Sequence, residues 1–231
     1  KLIKKNTTKA NPDEEKKAEC LELHQVPIFL NACPDDYYPL FYTAIYAGLR
    51  RGELLGLQWR DIDLPNGRVH VRRSLYKGKV KSPKTENSER SVDIGPTHID
   101  LLKKHRAKIK EAMLKEGKKI AEDGFVFCLP DGTPLDGDNL YHRIFKPILK
   151  KTNLSVTIHG LRHTYASILI GAGHNVKYVS DQMGHTNIQT TLNIYSHLLK
   201  VTHDGAGKRT EDWVNLKLAE GQKEVAVGNG W

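Results

Sequence analysis

The spacing of apolar and polar positions changes its period along the chain. Leu40, Phe41, Ala44, Ile45 and Ala47 recur at helical intervals until Gly48 interrupts them. Glu53, Leu54, Leu55 and Leu57 continue as a short helix leading to Trp59, a core anchor. From Arg68 the period drops to two. Val69 and Val71 alternate with His70 and Arg72, which predicts a strand. Lys79–Ser82 and Arg90–Ile94 read as two more strands, with the polar run Thr85–Glu89 as the tip between them. One antiparallel sheet of about three strands is therefore expected.

Helical periods return beyond the sheet. Thr97-His98-Ile99-Asp100 has the form of a capping box and predicts a helix to about Lys115. Gly124–Leu129 reads as a short buried strand or extended segment ended by Pro130-Asp131-Gly132, and Leu140, Ile144 and Ile148 mark a helix that Pro147 should kink or restart. A helix after His159 should bury Leu161, Tyr165, Ile168 and Leu169 and stop at Gly171-Ala172-Gly173. Asn175 should cap a short helix through Gln182, Gly184 should make a turn, and Thr186 or Asn187 should begin a helix carrying Tyr195. Upstream, Asn11-Pro12-Asp13 predicts a helix running to about Ala32. The tail has a weak helical pattern around Trp213, Val214, Leu216 and Leu218, then a Gly-containing end with no fixed element expected. The fold class is mostly α with a small antiparallel β-sheet, α+β.

Charge adds a partner to this outline. The 231 residues carry 36 Lys+Arg against 27 Asp+Glu, a net +9. That balance points to a polyanion, nucleic acid before an anionic membrane. The excess is concentrated: eight Lys/Arg and two acids lie between Arg68 and Arg90. Lysines that blunt a sheet edge would account for one or two of them. Arg72, Arg73, Lys77, Lys79, Lys81 and Arg90 are the candidate nucleic-acid contacts. A second cluster, eight Lys/Arg between Lys103 and Lys119, is as easily a solvated helix face. No apolar run is long enough to span a bilayer, no signal-peptide pattern is present, and a cytoplasmic location is expected. Cys20, Cys33 and Cys128 are odd in number and scattered, so they are expected to be reduced.

The chemistry concentrates between Ser155 and Leu198. His159 and Arg162 lie one helical turn apart, Met183-Gly184-His185 follows, and Tyr195 comes ten residues after His185. Displacement at a phosphodiester needs positive charge at the non-bridging oxygens, an in-line nucleophile and an acid for the leaving oxygen. Arginine suits the first task because its fork is planar and always charged. Arg162 is one candidate. Arg50, after the glycine break, is a second, and Glu53 one turn on could orient it. Each of these has an ordinary reading when taken alone: an exposed arginine, a packing tyrosine, a structural histidine. Their order and spacing carry the weight.

AGLRRGELLGLQW (47–59), VKSPKTENSERSVDI (80–94), HGLRHTYAS (159–167) and MGHTNIQTTLNIYSH (183–197) together resemble the catalytic domain of tyrosine recombinases of the phage and conjugative-transposon integrase type. The resemblance implies that fold and a site-specific DNA recombinase that cleaves and rejoins strands through a 3′-phosphotyrosyl link, to integrate or excise a mobile element. It implies that Arg50 and Arg162 clamp the scissile phosphate and that Lys84 protonates the leaving 5′ oxygen. His159 would assist proton movement, His185 would donate to a phosphate oxygen, Tyr195 would attack, and Glu53 would support. No cofactor or metal is implied. The implied partner is double-stranded DNA at recombination sites, bound by a homo-tetramer that is monomeric when free, with accessory DNA-bending or excision proteins. The implied organisation is a linker over 1–12 from an upstream DNA-binding domain, a catalytic domain over 13–200, and a tail over 201–231 exchanged between protomers. Met183 stands where the family usually has Leu, and Ala47 where it often has Thr. The alternatives are type IB topoisomerase-like relaxation, a metal-dependent nuclease on His159, His163 and His185, and a catalytically silent DNA-binding module.

Overall fold

The structure is a computed structural model that describes residues 20–81, 89–193 and 205–228, with side chains in the last segment to 219. The order is α1 Gln25–Asn31, α2 Tyr38–Ala47, α3 Arg51–Leu55, a 3₁₀ turn Trp59–Asp61, β1 Ile62–Asp63, β2 Arg68–Val71, β3 Ser74–Tyr76, β4 Lys79–Lys81 and β5 Arg90–Asp93. Then come α4 Pro96–Lys115, the short α5 Gly137–Asn139, a π turn Leu140–Phe145, α6 Lys146–Thr152, α7 Ile158–Gly171, α8 Val176–Met183, a helix α9 described over 188–193, and α10 Ala206–Gly228. The mostly helical α+β expectation holds, and among the described residues no helix is long and apolar enough to cross a membrane.

One core joins helices and sheet. Phe29 of α1, Phe41 of α2 and Phe145 of the π turn meet with ring centroids 5.4–5.9 Å apart, while Val69, Val71 and Val92 bury the inner face of the sheet. Trp59 is buried as expected. His98 of α4 is buried against Thr43 of α2, with its Nε2 2.9 Å from Thr43 Oγ1. Thr43 spends its own hydrogen on the Pro39 carbonyl at 2.8 Å, so His98 Nε2–H donates to Thr43 and Nδ1 has no partner among the described residues.

Several expectations are corrected. The helix foreseen up to Ala32 is not continuous, because Leu21–His24 is irregular and α1 begins at Gln25; its start near Pro12 lies outside the described residues. The sheet is two sheets. β2 pairs with β1 and β5, whereas β4 pairs with β3 through a tight turn at Lys77 (φ 47) and Gly78 (φ 71). The strand at 79–81 therefore does not pair with the strand at 90–93, and residues 82–88 between them lie outside the described residues. Two consecutive left-handed residues close a two-residue hairpin, whose twist matches that of its strands. α4 is capped by Gly95 with Pro96 at its start, not by Thr97. Of the two readings of 124–129 the extended segment holds, since Phe125 and Cys128 make single bridges to Gln58 and Pro134. Leu57 falls after α3, and Ile168 is only half-buried, with Ile170 inside instead. α10 continues as helix through to Gly228. Four of the eight basic residues near α4 are paired with acids, Lys103 with Asp100, Arg106 with Glu122, Lys108 with Asp36 and Lys115 with Glu111, which favours a solvated face.

Candidate active site

Two backbone turns frame the site. At the first, α2 ends at Gly48 (φ 59) and Arg50 leads, extended, into α3. A Cβ on Gly48 would stand 2.2 Å from the Tyr165 ring. Only glycine both takes this left-handed turn easily and lets α2 lie against α7 here. At the second, Gly184 (φ 60) ends α8, its N–H and that of His185 returning to the Asp181 and Ser180 carbonyls. The two predicted arginines stitch these turns together. Arg162, 2% exposed, donates from Nη1 to the Gly48 carbonyl at 2.5 Å and from Nη2 to the Met183 carbonyl. Arg50, on the outer side, donates from Nη2 to the Gly184 carbonyl at 3.3 Å.

Glu53 underlies Arg50. Its Oε2 accepts the Arg50 backbone N–H at 2.7 Å and its Oε1 the Arg50 Nη1 at 2.8 Å. Arg90 completes the carboxylate, with Nη1 at 3.1 Å and Nη2 at 2.8 Å. Burial alone would raise the Glu53 pKa. The hydrogen bonds and charge of Arg90, then the bonds from Arg50, outweigh it and hold the carboxyl at about 2. The supporting role expected of Glu53 has a geometric basis.

Arg90 is a correction. Its side chain is 6% exposed, and it also donates from Nε to the Gln182 carbonyl at 2.9 Å. It braces the site from inside, its guanidinium engaged by Glu53 and the Gln182 carbonyl, and does not face outward with the other basic candidates. Arg73 is a second correction, since its guanidinium pairs with the fully buried Asp61 and its side chain is 11% exposed. Of the six basic candidates, Arg72, Lys77, Lys79 and Lys81 remain exposed. Lys77 and Lys81 place their Nζ 5.7 and 5.3 Å from the ring centroid of the exposed Tyr76.

The histidines gather at the same place. His159, in the first turn of α7, is exposed, with its ring edge-on to His163 at 4.8 Å. Desolvation, then the charges of Arg162 and Arg50, lower its pKa. His185 is half-buried, and desolvation followed by Arg162 and Arg50 pushes its pKa down to about 4, so its ring is neutral at pH 7. Its Nδ1 lies 2.8 Å from Thr191 Oγ1 in α9. The structure thus brings together Arg50, Glu53, His159, Arg162 and His185. Lys84 and Tyr195 lie outside the described residues. Among the described residues no three His, Cys, Asp or Glu side chains are placed to hold a metal ion.

Two contributors were missed in the sequence. Gln182 is buried, its Oε1 accepting from Asp93 N at 3.0 Å and Tyr165 Oη at 3.2 Å and its Nε2 donating to the Ser91 carbonyl at 3.3 Å. It ties β5 to the end of α8. The signal was available: Gln182 shares the buried face of α8 with Val179 and Met183. Thr191, wholly buried, is the other. Beside the arginines, a hollow of about 660 Å³ opens between the β3–β4 hairpin and the 133–138 loop, with Arg50, Arg51, Ser74 and Lys77 on its walls.

Comparison with known proteins gives this geometry relatives. The phage integrase family matches residues 19–201. A tyrosine recombinase XerC-like protein of Caldanaerobacter subterraneus is 38% identical over 177 residues, 69% of this chain and 45% of that protein. The ICEBs1 integrase of Bacillus subtilis is 31% identical over 208 residues, 85% of this chain and 56% of that one. The chain spans about half the length of these curated relatives. Among solved structures, the Tn1549 transposon integrase in complex with a circular intermediate DNA superposes with a TM-score of 0.66 at 27% identity, covering 80% of this chain and 63% of that one. The XerA recombinase shares the fold at TM-score 0.65 and 20% identity, covering 81% of this chain and 64% of that one.

Proposed function

The chain belongs to the phage integrase family, and from that premise we propose that it is the catalytic domain of a tyrosine-type site-specific DNA recombinase, acting on double-stranded DNA in the cytoplasm. The observation that carries the reading is the meeting of Arg50, Arg162 and His185 around the turns at 48–50 and 183–185, with Glu53 holding Arg50 in place. Two guanidiniums beside a neutral imidazole supply charge and a hydrogen-bond donor for a phosphate without a metal ion.

In this reading the scissile phosphate sits against Arg50 and Arg162, which stabilise the charge that develops on its equatorial oxygens. The Tyr195 oxygen attacks phosphorus as the bond to the 5′ oxygen breaks, leaving the phosphate joined to the tyrosine on its 3′ side. Lys84 gives a proton to the departing 5′ oxygen, and His159 assists removal of the phenol proton. The covalent link retains the phosphodiester bond energy, so a 5′ hydroxyl from another strand reverses the step and restores the phenol. The exposed Arg72, Lys77, Lys79 and Lys81 hold flanking phosphates. The reading extends to a tetramer on DNA formed from free monomers, helped by accessory DNA-bending or excision proteins, with residues 1–12 as a linker from an upstream DNA-binding domain and the tail exchanged between protomers.

The test is a nicked attachment-site duplex, which lets the cleaved end diffuse away and traps the intermediate. A protein–DNA adduct resistant to denaturant is expected, and Tyr195→Phe should abolish it. No adduct from the intact chain joined to its upstream domain would overturn the reading.

A further inference from the structure

Thr191 carries a buried hydroxyl that the mechanism does not use. Thr191 has no exposed surface, and its Oγ1 lies 2.8 Å from His185 Nδ1. Four threonines in other helices behave differently. Thr43, Thr152, Thr164 and Thr210 each donate to the carbonyl four residues back, Pro39, Ile148, Gly160 and Ala206, at 2.8–3.0 Å. Thr191 makes no such bond to the equivalent carbonyl, that of Asn187, and its Oγ1 partner among the described residues is His185 Nδ1.

A threonine hydroxyl has one hydrogen to give, and a neutral imidazole has one nitrogen that accepts and one that donates. If Nδ1 carried the ring hydrogen it would donate to Thr191, and the hydroxyl hydrogen would find no acceptor among the described residues. A buried polar hydrogen without an acceptor is costly, so the opposite direction is favoured. Desolvation, then the charges of Arg162 and Arg50 beside the ring, oppose a second proton on it, so only one tautomer choice remains.

We propose that Thr191 is a positioning residue: by donating to His185 Nδ1 it fixes the ring hydrogen on Nε2, the form that can donate to a non-bridging phosphate oxygen. The same bond pins the first turn of α9 to the turn at 183–185, and Tyr195 follows four residues after Thr191 on the chain. Thr191 touches no reacting atom in this account. It acts through His185, and the inference rests on the phosphodiester reading of the site.

The test is nitrogen-15 NMR of the chain labelled at histidine, without DNA at pH 7, with the His185 signals identified by their loss in His185→Gln. The expected result is an unprotonated Nδ1 and a protonated Nε2. A ring protonated at Nδ1 in the unaltered chain overturns the proposal, and this measurement needs no variant to fold. Thr191→Val should lose the tautomer preference and slow adduct formation on nicked DNA by roughly 10- to 100-fold, the scale known for groups that orient a metal-bound histidine, with DNA affinity unchanged. Thr191→Ser should restore both. A serine variant as impaired as the valine, or a valine variant with the tautomer of the unaltered chain, overturns the proposal. A ring protonated at Nε2 in a chain that never cleaves DNA supports the tautomer assignment and overturns the recombinase reading instead.

Discussion

At the scale of the residue, Arg90 spans the Glu53 carboxylate and the Gln182 carbonyl. Arg90 and Lys79 look alike in a basic stretch, yet one is 6% exposed beneath the site and the other stands on an outer strand. The difference follows from register: Arg90 opposes Val71 at the end of β5 and turns toward Glu53. Replacing Arg90 by Ala should therefore destabilise the fold by about 3 kcal/mol, because it leaves the Glu53 carboxylate buried with Arg50 alone. Urea unfolding checks this. An outward DNA contact would instead leave stability unchanged and lower only the salt dependence of binding. Acid should find the same weak point. Glu53 has its folded pKa held down to about 2 from 4.5, so its contribution is present above about pH 4.5 and is lost as pH falls toward 2. His98 is also depressed, by burial, from 6.5 to about 4. Its share is intact above about pH 6.5 and is lost on the way down to 4, about 3 kcal/mol in all. Stability followed by thermal melting should fall steadily between pH 6.5 and 4, and His98→Asn should flatten part of that slope. An unchanged slope in the variant would reject the assignment.

At the scale of the element, what could be read was whatever repeats locally. α2, α7 and α8 show their period and their caps, and Asn175 caps α8 where expected, its Oδ1 accepting from Tyr178 N at 2.8 Å. The site residues were legible through motif spacing, because a turn of helix fixes how His159 and Arg162 relate. The split of the sheet was not, because strand pairing depends on partners distant in sequence, and the signal at Lys77-Gly78 is a two-residue turn inside a uniformly basic run. The glycines separate two kinds of constraint. Gly78 and Gly184 both have positive φ, 71 and 60, but a Cβ on Gly78 would meet nothing within 4 Å, whereas one on Gly184 would lie 2.8 Å from Arg90 Cδ. Gly78→Ala should cost only the backbone term, about 1 kcal/mol. Gly184→Ala adds displacement of Arg90, and with it of Glu53 and Arg50. It should lose more stability and, unlike Gly78→Ala, cut adduct formation by roughly tenfold or more. Equal effects on both measurements would show that the turn at 183–185 is not coupled to Arg90.

At the scale of the whole molecule, the net +9 resolves into charges with different work. Arg50, Arg90 and Arg162 are engaged in building the site, Arg73 holds Asp61, and half the basic residues around α4 are balanced by acids. The excess facing outward near the site is concentrated on the β3–β4 hairpin. Replacing Lys77, Lys79 and Lys81 together by Gln should weaken DNA binding at every sequence and reduce the slope of log affinity against log salt by up to about 3, roughly 0.9 for each phosphate left without its lysine. The adduct should still form at saturating DNA, since none of the three lies in the network around Arg50. α10 poses the complementary question, because among its exposed charged residues it also exposes large apolar ones: Trp213 is 60% exposed, Leu216 57% and Leu218 61%. A helix presenting such side chains to water gains by covering them, and fully burying each is worth roughly 1.5–3 kcal/mol. If the tail is exchanged on DNA, ending the chain at residue 204 should leave the melting temperature of the free monomer unaltered while lowering the cooperativity with which protomers assemble on a paired site. A helix that instead folds back on its own core would reveal itself by the opposite pair of results, a lower melting temperature and unaltered assembly.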